Sequence, residues 1–219
     1  MAKIRFVTRP HVIVGISGAS GATLGKRIVE RLAAADAVEI HLVVSAAAER
    51  TLALEGGPHC RDELEQLAQH VHNRANIGAS IASGSFPTAG MIVAPCSMRS
   101  LAAIAMGLDD SLLVRAADVT LKERRRLVLL PREAPLHLGH LRNLCAVTEM
   151  GAIVFPPVPA FHHRPVTLES VVDQIAARAI DLLSLPIVPQ AKSWGDSAQT
   201  ATTSSMARTS RPHEVGGPT

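Results

Sequence analysis

A chain of 219 residues with 47% hydrophobic content can bury a sizeable core as one domain, and four Phe, one Trp and no Tyr leave Ala, Val, Leu and Ile to build it. The formal net charge of +3 is slight, and the densest basic run, Lys122 to Arg126, contains Glu123 and lacks aromatic neighbours for base stacking, which argues against nucleic acid as a partner. Cys60, Cys96 and Cys145 show no C-x-x-C spacing and no run approaches the roughly 18 apolar residues of a membrane span, so a reducing compartment, no membrane partner and a cytoplasmic location are expected.

Residues 11–32, HVIVGISGASGATLGKRIVERL, read as a strand, a turn and a helix. Val12-Ile13-Val14 is a buried β-branched run, and Leu24, Ile28, Val29 and Leu32 fall on one helical face. Between them, Gly15, Gly18 and Gly21 give G-x-x-G-x-x-G, which is neither the dinucleotide fingerprint nor a Walker A loop. Backbone N–H groups at such a turn, the helix dipole behind them and the hydroxyls of Ser17 and Ser20 suit an anion. A second strand, Val38 to Val44, ends on Ser45 rather than on the acidic residue that would hold an adenosine ribose, so a phosphate-bearing mononucleotide is the expected guest.

A helix is expected from Ala46 to Glu55, broken by Gly56-Gly57-Pro58, then a polar helical stretch from Asp62 to Val71 and a long small-residue loop over 73–90. Met91–Pro95 reads as a third strand with a helix after Ser97. Leu127–Leu130 is a fourth strand with a helix over Leu136–Met150. Ala152–Phe155 is a fifth, followed by a proline-rich turn over 156–165 and a last amphipathic helix from Leu168 to Leu183. This alternation predicts an α/β doubly wound parallel sheet in one domain over residues 1–185, and the shift in composition from Pro186 predicts a mostly disordered tail over 186–219. Ligands of such sheets bind beyond the carboxyl ends of the strands, and all five ends carry hydroxyl or cationic groups: Ser17 and Ser20, Ser45, Ser97 with Arg99 and Ser100, Arg132, and His162 to Arg164.

The segments G-I-S-G-A-S-G, I-A-S-G-S-F, M-I-V-A-P-C-S-M, R-A-A-D-V-T-L-K-E-R-R, P-R-E-A-P-L-H-L and P-P-V-P-A-F, in this order over residues 11–184, closely resemble the UbiX-type flavin prenyltransferases, a family that includes proteins assigned as components of non-oxidative hydroxyarylic acid decarboxylases. The resemblance implies a flavodoxin-like (Rossmann-like) fold. It implies transfer of a dimethylallyl group from dimethylallyl phosphate to N5 and C6 of reduced FMN, the prenylated FMN then serving a partner UbiD-type decarboxylase. It also implies a homododecamer with active sites at subunit junctions. By motif position, Gly18, Ala19, Ser20, Ser45, Ser97, Met98, Arg99, Ser100 and Arg132 would meet the flavin, and Arg115 and Lys122 would supply charge at the subunit junction. Lys122, His162 and Arg178 match the prenyl-phosphate pocket, Glu55 and Glu133 match carboxylates that manage protons, and Trp194 matches a tryptophan covering the pocket. No carboxylate cluster suited to Mg²⁺ is evident, in keeping with a monophosphate substrate and metal-independent transfer.

Each of these residues also has a plainer reading. Arg115 and Lys122 suit solvated helix charges, Glu133 a structural ion pair, Glu55 an exposed helix end, Arg178 a polar helix face, and Cys96 a buried small hydrophobe. His137 and His140, at i,i+3, suggest no third ligand and read as helix-surface or oligomer contacts. The chain departs from its relatives at P-A-F-Y, where it carries His162; an imidazole donates to phosphate more strongly when protonated, so prenyl-phosphate handling is expected to decline as the pH rises. Two other functions compete: a flavin-dependent cysteine decarboxylase, whose histidine-asparagine and P-x-M-N motifs are not found, and a non-catalytic FMN-binding accessory subunit of an aromatic acid decarboxylase.

Overall fold

The strand–helix alternation resolves, in a computed structural model that describes residues 9–193, into six strands and seven α-helices. In chain order these are β1 (His11–Ile16), α1 (Ala22–Ala35), β2 (Glu39–Val44), α2 (Ala46–Gly56), α3 (Cys60–Leu67), β3 (His70–His72), β4 (Gly90–Cys96), α4 (Met98–Met106), α5 (Leu112–Lys122), β5 (Arg126–Pro131), α6 (Leu138–Glu149), β6 (Ile153–Val154) and α7 (Leu168–Asp181). Short 3₁₀ turns lie at Ser80–Ala82 and Phe161–His163.

The strands pair in the order β3-β2-β1-β4-β5-β6, all parallel. The chain runs outward from β1 to β3 and then returns past β1 to lay down β4. The topological switch point, where such sheets bind ligands, is therefore between the ends of β1 and β4. Both faces are covered, as a parallel sheet requires. On one face Val12, Val14, Ile40, Leu42, Ile92 and Val128 pack under α1, α2, α3 and α7, and the expected apolar stripe of α1 (Leu24, Ile28, Val29, Leu32) is buried there. On the other, Ile13, Val43, Met91, Val93, Leu127 and Leu129 pack under α4, α5 and α6. Arg27 and Arg31 on α1 share the Asp173 carboxylate of α7, at 2.6 and 2.8 Å, which fixes these two helices side by side.

Two sequence expectations are corrected. The polar stretch Asp62–Val71 is not one helix: α3 ends at Leu67 and His70–His72 form a sixth, edge strand, recruited by pairing with β2 although only three residues long. The interval after Met106 holds a further helix, α5, whose Ala116, Ala117 and Val119 are buried. Of the stretch expected to be a disordered tail, residues 186–193 lie within the described part. The backbone N–H groups of Gln190 and Ala191 donate to the Asp181 carboxylate at 2.7 and 2.9 Å, and Arg31 donates to the Gln190 carbonyl at 3.0 Å. Trp194 lies outside the described residues. Among the described residues no helix is long and apolar enough to cross a membrane.

Candidate active site at the sheet switch point

Three helices, α1, α2 and α4, begin at the carboxyl ends of β1, β2 and β4, and their first turns converge at this edge. Ser45 caps α2, its hydroxyl accepting from the Ala48 N–H at 3.2 Å. Ser97 caps α4, accepting from the Ser100 N–H at 3.2 Å and donating to the Ser100 hydroxyl at 3.1 Å. Capping side chains of this kind satisfy one orphan N–H each and leave the neighbouring first-turn donors facing the edge. Gly18 must be glycine because a Cβ there would lie 2.2 Å from the Ala47 Cβ, so the turn is pressed against the start of α2. Gly21 sits at φ 101°, in the left-handed region that delivers the chain into α1.

Two readings of this turn are corrected by the structure. Ser17 is not a ligand donor: it is fully buried, its hydroxyl donates to the Pro95 carbonyl at 2.8 Å and accepts from the Ser97 N–H at 2.7 Å. It ties the ends of β1 and β4 together. The N-terminus of α1 is not open to an external anion either, because the Glu55 carboxylate, carried in from the last turn of α2, accepts from the Gly21 N–H at 2.9 Å and the Ala22 N–H at 2.7 Å. The negative charge favoured by that helix end is the chain's own. This leaves α2 and α4 as the helix ends available to a phosphate.

Arg132, just beyond β5, reaches across the edge and donates from Nε to the Ser20 carbonyl at 3.1 Å. Its neighbour Glu133 is exposed and accepts from the Ala134 N–H at 3.1 Å. Gly18, Ala19, Ser20, Ser45, Glu55, Ser97, Ser100 and Arg132 are thus gathered at one edge, with Met98 in the first turn of α4. Arg99, on the same turn, is paired with Asp110. Cys96 is buried, and burial pushes its thiol up to about 12, so it is an inert core group.

The remaining residues implied by the resemblance are elsewhere. His162 and Arg178 line a cleft of about 800 Å³ on the α1/α7 face, together with Arg31, Asp173 and Lys192. Arg31 and Asp173 carry no sequence signal for this role; their i-spacings mark them only as polar-face residues of α1 and α7. Arg115 and Lys122 lie on α5, on the opposite face of the sheet. Arg115 pairs with Asp109 and Asp118 at 2.9 and 3.0 Å, and Lys122 with Glu123 at 2.5 Å. The pairing draws the Glu123 carboxyl below its ordinary range. Within one chain Lys122 does not meet Arg178. His137 caps α6, its Nδ1 accepting from the Gly139 N–H at 3.0 Å, and stacks on His140.

A parallel, doubly wound sheet whose switch point presents hydroxyls, two helix N-termini and a guanidinium has the donor set for a mononucleotide phosphate, and FMN fits it in charge and hydrogen-bonding type. The class is that of the flavoproteins, whose family model matches residues 5–180. The flavin prenyltransferase UbiX of Neisseria meningitidis serogroup B is 54% identical over 184 residues, covering 84% of this chain and 96% of the relative. Among solved structures, AnUbiX (PadA1) in complex with FMN and dimethylallyl pyrophosphate matches with a TM-score of 0.79 and 44% identity over 85% of this chain and 98% of that one. A dodecameric FMN-dependent UbiX-like decarboxylase from Escherichia coli O157:H7 matches with a TM-score of 0.80 and 46% identity over 84% of this chain and 98% of that one. The chain belongs to the UbiX-type flavin prenyltransferases within the flavoprotein family.

Proposed function

We propose that this protein transfers a dimethylallyl group from dimethylallyl phosphate to N5 and C6 of reduced FMN, and that the prenylated FMN is consumed by a UbiD-type decarboxylase. The observation that carries this reading is the 54% identity, over nearly the full length of the relative, to a flavin prenyltransferase. Reduced FMN supplies the nucleophilic ring atoms; the work of the chain is binding, orientation and charge. The first turns of α2 and α4, capped by Ser45 and Ser97, present backbone N–H groups to the FMN phosphate, while Gly18 to Ser20, Met98, Arg99, Ser100 and Arg132 border the ring system. Arg132 also fixes the turn through the Ser20 carbonyl. Glu55, held by two N–H groups, is a carboxylate that cannot swing away from the turn, which suits it to hold a proton in a set place. Glu133, exposed and bonded to its neighbour's N–H, can turn toward the ring as a base.

Departure of phosphate from an allylic carbon builds negative charge on oxygen, and cations with a hydrogen-bond donor stabilise it without a metal. Arg178 and His162 supply part of this from the cleft on the α1/α7 face. Lys122 must come from a second copy of the chain, since its own lies across the sheet. Assembly into a homododecamer, with Arg115 and Lys122 at the junction and Trp194 closing the pocket, completes the site.

Anaerobic incubation with reduced FMN and dimethylallyl phosphate, followed by mass analysis of the released flavin, tests the reading: a gain of one C5H8 unit is expected. Bound but unaltered FMN, with the diphosphate ester equally inert, overturns it in favour of the non-catalytic FMN-binding subunit. That second reading draws on one feature, the lack of any tyrosine in the chain, which leaves His162 to take the place of the phenol usual in relatives.

A further inference from the structure

At the other end of the strands, toward the β3 edge, lies a group of histidines that neither flavin nor prenyl phosphate uses. Ile13 is level with His41, and His41 with His70, in the parallel register. Because side chains alternate along a strand, His11, Glu39, His41, His70 and His72 all fall on the same face of the sheet. The sequence scatters them over three strands, and only the register collects them.

The distances are those of a ligand set. His11 Nδ1 is 3.0 Å from His41 Nε2, and one ring nitrogen of each of His11, His41 and His70 lies within 4.8 Å of the other two. Ligands at the 2.0–2.1 Å Zn–N distance of a tetrahedral ion stand about 3.3 Å apart, so a small rotation of His11 and His70 closes the set. His41 is buried, His11 is half-buried and His70 is exposed, which leaves an entry path from the sheet edge. The outer groups are also in place. His41 Nδ1 is 2.8 Å from His72 Nε2, the second-ring-nitrogen bond by which a ligating imidazole is oriented. The Glu39 carboxylate is 3.4 Å from His70 Nε2, within reach either as acceptor of the His70 N–H or as a fourth ligand. Phe86 packs over His11 and His41, with ring centroids 4.9 and 5.3 Å away, and shields the inner side.

We propose that His11, His41 and His70 bind a divalent transition-metal ion of the zinc type, with His72 and Glu39 as supporting partners. Three imidazoles favour zinc, cobalt or nickel over magnesium or calcium, which take oxygen ligands. The ion would clamp β1, β2 and β3 together and so hold an edge strand that otherwise has only a three-residue pairing with β2. It lies at the end of the sheet away from the flavin edge and plays no part in group transfer.

The test uses untagged full-length protein stripped with a chelator and titrated with Co²⁺, followed by visible d–d absorption, metal analysis and thermal unfolding. One ion per chain is expected, with the intense bands of a tetrahedral site, displacement by Zn²⁺ but not by Mg²⁺, and a higher unfolding temperature with either transition metal. His70→Ala, a change at an exposed position, is expected to weaken binding by at least about tenfold, the loss seen even for outer partners of such sites. A His137→Ala/His140→Ala double variant, which removes the other close histidine pair, keeps it. Failure of the unaltered chain to bind stoichiometrically, or unchanged affinity in His70→Ala, overturns the proposal and leaves a hydrogen-bonded stack of neutral imidazoles. Neither result depends on prenyl transfer.

Discussion

The switch-point edge and the prenyl-phosphate groups are built in opposite ways. At the edge, one chain supplies everything close together: Ser17 bonds β1 to β4, Glu55 caps α1 from α2, and Arg132 holds the turn through Ser20. The cationic groups are dispersed instead, Arg178 and His162 in a cleft on the α1/α7 face and Lys122 across the sheet on α5. Under the proposed function, flavin binding is then a property of the folded chain, whereas the transfer step depends on a second copy placing its α5 beside that cleft. A mutation in one region should therefore separate the two properties.

The largest separation is expected for Lys122→Ala. Removing a cation that meets charge only as the phosphate departs should lower turnover by about 10²–10³-fold. FMN affinity should stay the same, as measured by flavin fluorescence quenching beside single-turnover mass analysis; loss of both together would place Lys122 in the flavin site and break the comparison. Gly18→Val acts on the other region. Its side chain must displace Ala47, whose Cβ would stand 2.2 Å from the new Cβ, and overpacking of this kind costs about 1–3 kcal/mol. Weaker FMN binding and a lower denaturation midpoint should appear together. Ser17→Ala leaves the Ser97 N–H without its acceptor inside the protein, and an orphaned buried donor costs about 1–3 kcal/mol, so urea unfolding should show a loss toward the lower end because a small void can admit water. An unaltered midpoint would mean that the β1–β4 tie is dispensable. The smallest effect is expected for His162→Tyr, which restores the phenol usual in relatives. It should change KM for dimethylallyl phosphate by only a few-fold near neutral pH, roughly the 1 kcal/mol of one hydrogen bond. It should nonetheless remove the decline with rising pH, because a phenol donates across that range while an imidazole loses its charge. Identical pH profiles for both proteins would take His162 out of the pocket.

Much of the fold was legible because its signals are local. The apolar stripe Leu24, Ile28, Val29 and Leu32, the strand run Val12–Val14 and the serines preceding α2 and α4 each act within a few residues, and each is found where periodicity and capping place it. The strand β3 was not legible, since His70–His72 becomes a strand only by pairing with β2. Nor was the partner of the α1 N-terminus. The turn chemistry announces a site for negative charge, but the carboxylate that fills it comes from a residue 34 positions away. Ser17 shows the same limit: a hydroxyl beside a glycine turn reads as a ligand donor until the Pro95 carbonyl and the Ser97 N–H are seen to occupy it.

By itself, then, the amino-acid sequence determined the alternation of strand and helix, the glycine turn at the end of β1 and membership of a family through six ordered motifs, because these depend on periodicity, backbone freedom and residue identity. Only the tertiary structure decided which donors face a ligand and which are spent on the chain itself, and that the cations fall on opposite faces of the sheet. It also gathered His11, His41 and His70. Those outcomes follow from strand order and register, which bring together residues far apart in the chain and which no local pattern encodes.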